Sequence, residues 1–366
     1  MKNLFSFLFL LFLLSSCNKK ENDDLLWERS FGKGEALSIK ASADSGFAAC
    51  GSVAGKPYFV RLAKDRTISI EIKSDAQGLF SSFWFDASGY INAGNSAGKM
   101  LVMRHSRSGD VLWEKTIDAG YRIDNTTIIY TGNGKLLAIG SASTDTTYNG
   151  TTGILFVTID TTGQILSQKN VTDTRFVAAG PAVIDASGNI YLALTRKNTG
   201  SKTRAAVAKY NNQFAKLWET ELYNNPSFGA SGKNIIINQQ GTLFVTGQTE
   251  VTSETGPVNN SFVTSLTGTG DVNWKKYLEN ANTGRDLLIN DAGDVAMLNR
   301  NCCIIRYLNA SDGADAGILR LLGQCNSKDT DVLGSSFKLS YDKNLLVAGS
   351  RGGNFFIALK ASQTAI

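Results

Sequence analysis

Seven times along this chain, a turn built on Gly or Asn opens a short strand rich in small residues. The copies run from Asp44 to Gly51, Asp86 to Gly94, Gly132 to Gly140, Asp185 to Ala193, Gln240 to Gly247, Asp291 to Ala296 and Asp342 to Gly349. Their turn residues, Gly46, Gly89, Gly134, Gly188, Gly241, Gly293 and Asn344, stand 43 to 54 residues apart. Gly and Asn tolerate the positive φ of a tight hairpin, so each copy reads as a turn entering a strand. A unit of this length cannot bury its own apolar face and must pack on its neighbours.

Each unit continues with an apolar third strand, as at Tyr58 to Leu62 and Ser261 to Leu266. A polar Gly turn and a fourth strand follow: Ile68 to Ile72, Val111 to Ile117, Ile165 to Val171, Lys216 to Leu222, Val272 to Leu278 and Ile318 to Leu322. The last unit stops at its third strand. Its missing fourth strand stands at the other end of the chain, where Leu25 to Phe31 matches Val111 to Ile117 and Lys216 to Leu222. The expectation is an all-β, seven-bladed β-propeller with four-stranded antiparallel blades. The N-terminal strand joins the last blade and closes the ring. Trp27, Trp113, Trp218 and Trp274 recur at one position of the outer strand, where a large ring can cover the edge of the next blade.

The Asp-Ala-Ser-Gly-Asn-Ile-Tyr stretch at 185 to 191 resembles the bacterial seven-bladed beta-propeller (SBBP) repeat. Gly-Asp-Val-Leu-Trp at 109 to 113 is similar to the tryptophan half of quinoprotein-type blades, also found in BamB-like outer-membrane assembly lipoproteins. The resemblance spans residues 25 to 362 and implies a fold. It leaves function open, because propellers host unrelated activities.

Gly is abundant at 36 copies and Pro scarce at 4, as many short strands joined by Gly turns require. The net charge of +5 is scattered along the chain, which argues against a nucleic-acid partner. The apolar run from Leu4 to Leu14 is too short to span a bilayer and reads as the core of a signal peptide over residues 1–16. It ends in Leu14-Ser15-Ser16-Cys17, which resembles the lipobox of bacterial lipoproteins and implies a lipidated Cys17. Residues 17–24 then form a polar tether. Its Lys-then-acidic order resembles the signal that sends some Bacteroidetes lipoproteins to the cell surface; a plain leash facing the periplasm is the alternative. Either way the chain is expected to be an outer-membrane lipoprotein of the cell envelope, monomeric, with its propeller over 25–362.

No catalytic set is legible. The one His, His105, falls in register with Leu62, Ile159, Tyr210, Leu266, Tyr307 and Leu359, so it reads as a packing residue. Asp44, Asp86, Asp185 and Asp291 recur in the hairpin turns, where Asp caps the turn with its own side chain. No calcium loop is complete, and neither a metal nor a cofactor is expected. Antiparallel pairing brings Cys325 near Cys302 or Cys303; a cross-strand disulfide, free thiols or a Cys302–Cys303 vicinal bond all remain open. Cys50 sits on a small-residue strand and is expected to be buried and unpaired.

Binding is expected where long second-to-third-strand loops cluster, at Ser143 to Thr152 with Tyr148, at Lys197 to Thr203 and at Gln248 to Asn260. Arg122, Arg175 and Arg285, with Tyr121, Phe176 and Phe228, stand at the start of inner strands, where convergence would suit an anionic or carbohydrate ligand. These features suggest a membrane-anchored, non-catalytic scaffold that engages a protein or glycan. The alternative is an enzyme, a quinoprotein-like oxidoreductase or a carboxylate-based lyase or hydrolase.

Overall fold

The computed structural model describes residues 25–144, 152–173, 176–197, 202–223, 229–253, 256–278, 283–300, 304–320 and 332–361. Strands β1 (Leu25–Ala41), β2 (Phe47–Val53), β3 (Lys56–Leu62) and β4 (Ile68–Lys73) open the chain. Next come β5 (Gly78–Asp86), β6 (Gly89–Ser96), β7 (Lys99–Ser106) and β8 (Val111–Ile117), then β9 (Arg122–Gly132), β10 (Lys135–Ser143), β11 (Thr152–Asp160) and β12 (Ile165–Thr172). They are followed by β13 (Phe176–Ile184), β14 (Ile190–Lys197), β15 (Thr203–Tyr210), β16 (Lys216–Tyr223), β17 (Ala230–Ile237), β18 (Leu243–Ser253), β19 (Gly256–Leu266) and β20 (Val272–Leu278). The chain ends with β21 (Gly284–Ile289), β22 (Val295–Asn299), β23 (Ile304–Leu308), β24 (Asp315–Arg320), β25 (Val332–Leu339), β26 (Leu345–Arg351) and β27 (Asn354–Lys360).

These strands form five four-stranded antiparallel sheets and one of seven strands, ordered β25-β26-β27-β1-β2-β3-β4. The larger sheet arises because β1 changes partner midway. Residues from Leu25 to Lys33 pair with β27, setting Trp27 opposite Leu359 and Ser30 opposite Phe356. From Gly34 onward the same strand pairs with β2. Two segments more than 300 residues apart in sequence are therefore hydrogen-bonded side by side. The first strands of successive sheets also touch in chain order, β5 on β9, β9 on β13, β13 on β17 and β17 on β21, with β25 contacting both β21 and β1.

Burial follows from this packing. The second and third strands, such as β10 and β11, are buried along nearly their whole length, because each sheet is covered on both faces. They are consequently runs of small and apolar residues without alternation. The outer strands β8 and β12 are largely exposed.

The recurring tryptophans cover the next sheet. Trp113 on β8 donates its Nε1–H to the Thr161 carbonyl at 3.1 Å, in the β11–β12 turn. Trp274 on β20 repeats this with the Ala310 carbonyl at 2.9 Å, in the β23–β24 turn. The ring leaves no room for a side chain beneath it: a Cβ on Gly313, whose φ is +73°, would lie 2.7 Å from Trp274. Trp27 meets Phe47 edge to face at 5.8 Å.

The hairpin turns differ from expectation in detail. Asp86 and Asp185 cap their turns through side-chain acceptance from Ser88 N at 2.7 Å and from Ser187 N at 2.9 Å, and Asp44 accepts from Gly46 N at 3.2 Å. Asp291 does not: Asn290 caps that turn, accepting from Asp294 N at 2.8 Å, while Asp291 pairs with Lys343. In the first and last turns the positive φ falls on Ser45 (63°) and Lys343 (62°), one residue before Gly46 and Asn344. The last predicted fourth strand begins earlier, at Asp315. His105 lies opposite Tyr90, and the matching positions in the last two repeats are Leu308 and Lys360, one residue beyond Tyr307 and Leu359. Its ring is wholly buried, and burial pushes its pKa down to about 4 against a weaker opposing effect of the Gly109 backbone.

Candidate functional site: a cationic axial cavity and a projecting hairpin

Every innermost strand carries a β-bulge near its start. The pairing of β1 with β2 slips between Ala36 and Ser38, that of β5 with β6 between Phe80 and Ser82, and that of β17 with β18 between Gly232 and Asn234. The same slip occurs in β9, β13, β21 and β25. A bulge inserts an unpaired residue and re-aims its side chain. Here Leu37, Ser81, Asn125, Pro181, Lys233, Arg285 and Ser335 all line one cavity of about 470 Å³. On β2, β6, β18 and β26 the second strand carries glycine where the bulged backbone crowds it. A Cβ at Gly94 would lie 1.9 Å from the Leu79 carbonyl oxygen, and one at Gly349 equally close to that of Leu333.

The charges in this cavity are one-sided. Lys40, Lys233, Arg285 and Lys338 line it, with Asp286 as the one acid among the described lining residues. Asp286 is buried at 4 % exposure and fully engaged. Its Oδ1 accepts from Asn234 Nδ2 at 2.7 Å and Leu287 N at 2.8 Å. Its Oδ2 accepts from Ser336 Oγ at 2.8 Å, Phe337 N at 2.9 Å and Lys338 Nζ at 3.0 Å. Asp286 thus knits β17, β21 and β25 together and has no acceptor capacity left for proton transfer.

Lys40 donates to the Phe83 carbonyl, and its ammonium sits 5.2 Å from the Phe83 ring centroid. Burial pushes its pKa down to about 8; Lys338 reinforces the effect and Cys50 opposes it. Among the described residues the Lys233 ammonium has no hydrogen bond or ion pair; burial, then Arg285 and Arg300, lower it to about 8. Arg285 is pushed to about 10 by burial and Arg300, with Glu35 opposing, and its Nε is buried without a partner. Glu35 is itself held by Arg300 at 3.1 Å and by the Ser335 hydroxyl.

Of the residues expected to converge, Arg285 is in the axial cavity but Arg122 and Tyr121 are not. They line a separate depression with Gly98, Lys99 and Asp118, where Arg122 pairs with Asp124 at 2.8 Å. Arg122 opposes Ser143 at the outer end of β9, so Asn125, three residues on, occupies the bulge instead. Cys17, Tyr148, Arg175, Phe228, Cys302, Cys303 and Cys325 lie outside the described residues, as does the side chain of Phe176. Lys40, Lys233, Asp286 and Lys338 escaped the sequence reading: Lys233 has no local signature because a bulge is set by strand pairing, and Lys40, Asp286 and Lys338 have none because only the packing of the sheets turns them to the cavity. Among the described residues no group of three metal-binding side chains forms, and no helix is long and apolar enough to cross a membrane. Cys50 is buried and free, its thiol pushed up by burial.

The expected loop from Gln248 to Asn260 is largely strand. β18 and β19 pair from Leu243↔Leu266 out to Ser253↔Gly256. β17 reaches only to Thr249 and β20 only to Ser261, so the residues beyond form a two-stranded arm that outruns its sheet. The Val and Thr residues here favour extended backbone over open loop. Glu250 anchors the base, accepting from Gly229 N at 3.0 Å and pairing at 2.8 Å with Lys202 of the preceding sheet's β14–β15 connection.

No protein-family model matches the chain, and no curated protein matches it. Solved structures do resemble it. Virginiamycin B lyase from Staphylococcus aureus is 11% identical, with 91% of this chain and 99% of that one covered at a TM-score of 0.61. The Swd1 beta-propeller domain from Myceliophteria thermophila is 10% identical, with coverage of 92% and 99% and a TM-score of 0.60. BamB from Moraxella catarrhalis is 12% identical, with coverage of 92% and 99% and a TM-score of 0.50. At such identities the likeness concerns architecture alone: this chain is an all-β protein with the β-propeller fold.

Proposed function

We propose that this protein is a seven-bladed propeller, tethered to the outer membrane through a lipidated Cys17, that works as a non-catalytic binding scaffold for a protein or glycan of the cell envelope. The seven-stranded sheet is then two four-stranded blades sharing β1, and the pairing of β1 with β27 closes the ring. The observation that carries the binding role is the β18–β19 arm, a strand-paired projection anchored at its base through Glu250 to Lys202. A strand-paired arm loses less conformational entropy on docking than an open loop would, which favours binding.

The test replaces residues 250–259 with a two-residue Asn-Gly turn in the full chain and crosslinks intact cells. A partner captured by the parent protein and lost with the arm supports the proposal. Identical capture from both, or dye-linked turnover after reconstitution with quinone and calcium, overturns it. Cys17→Ala is expected to release the protein from the membrane fraction, and protease shaving of intact cells reports which leaflet it faces.

A further inference from the structure

The axial cavity is a second place where this molecule can bind, distinct from the arm. Two adjacent bulges, on β17 and β21, present Lys233 and Arg285 into it. Among the described residues the Lys233 ammonium makes no hydrogen bond or ion pair, and the Arg285 Nε is buried without a partner. Neither nearby acid pairs directly with these cations: Asp286 accepts five hydrogen bonds from other groups, and Glu35, whose charge only partly offsets the burial of Arg285, is hydrogen-bonded to Arg300 and Ser335. Holding two like charges together in a partly desolvated site is unfavourable unless an anion joins them.

The rest of the lining describes that anion. Ser38, Asn125 and Thr127 line the same cavity, and among the described residues their side chains make no hydrogen bond, so hydroxyl and amide groups are open to a polar ligand. No aromatic ring is among the described lining residues, so these offer a flat conjugated anion no stacking surface. Its volume of about 470 Å³ far exceeds a bare phosphate and lies within the range of small-molecule sites.

We propose that the cavity binds a small polyhydroxylated anion, an acidic sugar, with its carboxylate held between the Lys233 ammonium and the Arg285 guanidinium and its hydroxyls turned to the polar lining. The guanidinium offers a paired-donor match to carboxylate and the ammonium adds charge.

The full chain in detergent is titrated calorimetrically at low ionic strength with D-glucuronate, D-glucose and inorganic phosphate. Glucuronate binds, and glucose and phosphate bind at least about tenfold more weakly. Lys233→Met and Arg285→Met each weaken glucuronate at least about tenfold, while Arg122→Met does not. Neither cavity variant lowers the melting temperature of the unliganded protein, since each removes one of two repelling charges, so lost binding is not lost folding. Equal affinity for glucose and glucuronate, phosphate binding as tightly as the sugar acid, or cavity variants that bind normally each overturn the proposal. The arm deletion leaves this titration unchanged, so the two readings fail separately.

Discussion

Asp286→Ala is the substitution whose cost follows most directly from the structure. It leaves five donors without their acceptor, at 2.7 to 3.0 Å in the parent protein. Ser336 can rotate its hydroxyl, and Lys338 is partly exposed and can find water. The amides of Leu287 and Phe337 belong to buried residues and have no such escape. Orphaned buried donors cost about 1–3 kcal/mol each and do not add fully, so the expected loss is about 3–5 kcal/mol. Asp286→Asn should fare little better: whichever way the amide turns, its NH₂ faces donors. Unfolding entropy of about 2.1 cal/mol/K per residue gives roughly 0.7 kcal/mol/K for a domain of this size, so Tm should fall by about 4–7 °C. Scanning calorimetry of the parent and both variants measures this. A drop below about 1 °C for Asp286→Ala, or recovery of most of the loss by Asn, would refute the view of Asp286 as a saturated, acceptor-only node.

Other outcomes follow from the same physics. Gly94→Ala and Gly349→Ala each place a Cβ 1.9 Å from a backbone oxygen; each should cost about 2–4 kcal/mol by denaturant melting, and a neutral result would deny the tight bulge. Lys40 and Lys233 sit at about 8, so between pH 8 and their ordinary value of 10.5 the unfolded chain holds more protons and stability should rise with pH. Burial raises Tyr58, Tyr191, Tyr210 and Tyr223, whose unfolded counterparts ionise first, so stability should turn down above about pH 10. Lys233→Met should flatten the rising limb of urea midpoints plotted against pH, and an unchanged slope counts against the shift. Trp274→Phe removes the bond to the Ala310 carbonyl and should cost about 1 kcal/mol, whereas Trp274→Ala, which also uncovers the Gly313 turn, should cost about 2–3 kcal/mol. Equal losses for the two would mean the ring's packing contributes nothing.

The repeat by itself determined a great deal. A turn signal every 43 to 54 residues forces short antiparallel strands, and Trp27, Trp113, Trp218 and Trp274 mark the strand that covers the next sheet. The likeness between Leu25–Phe31 and Val111–Ile117 was enough to bring the N-terminal segment beside the last strand, and β1 pairs with β27. These features are local or periodic, and local chemistry writes them directly into residue type. The axial cavity is different. Lys233, Arg285 and Asp286 fall in a stretch of ordinary strand residues, and nothing around them announces a bulge. Only the pairing of each inner strand with its neighbour decides which residue is squeezed out of register, and only the sheets' arrangement turns those residues toward one space. Arg122 and Arg285 look alike in sequence because both open an inner strand; a shift of three positions along that strand separates a rim residue from an axial one, and that shift is set by tertiary contact.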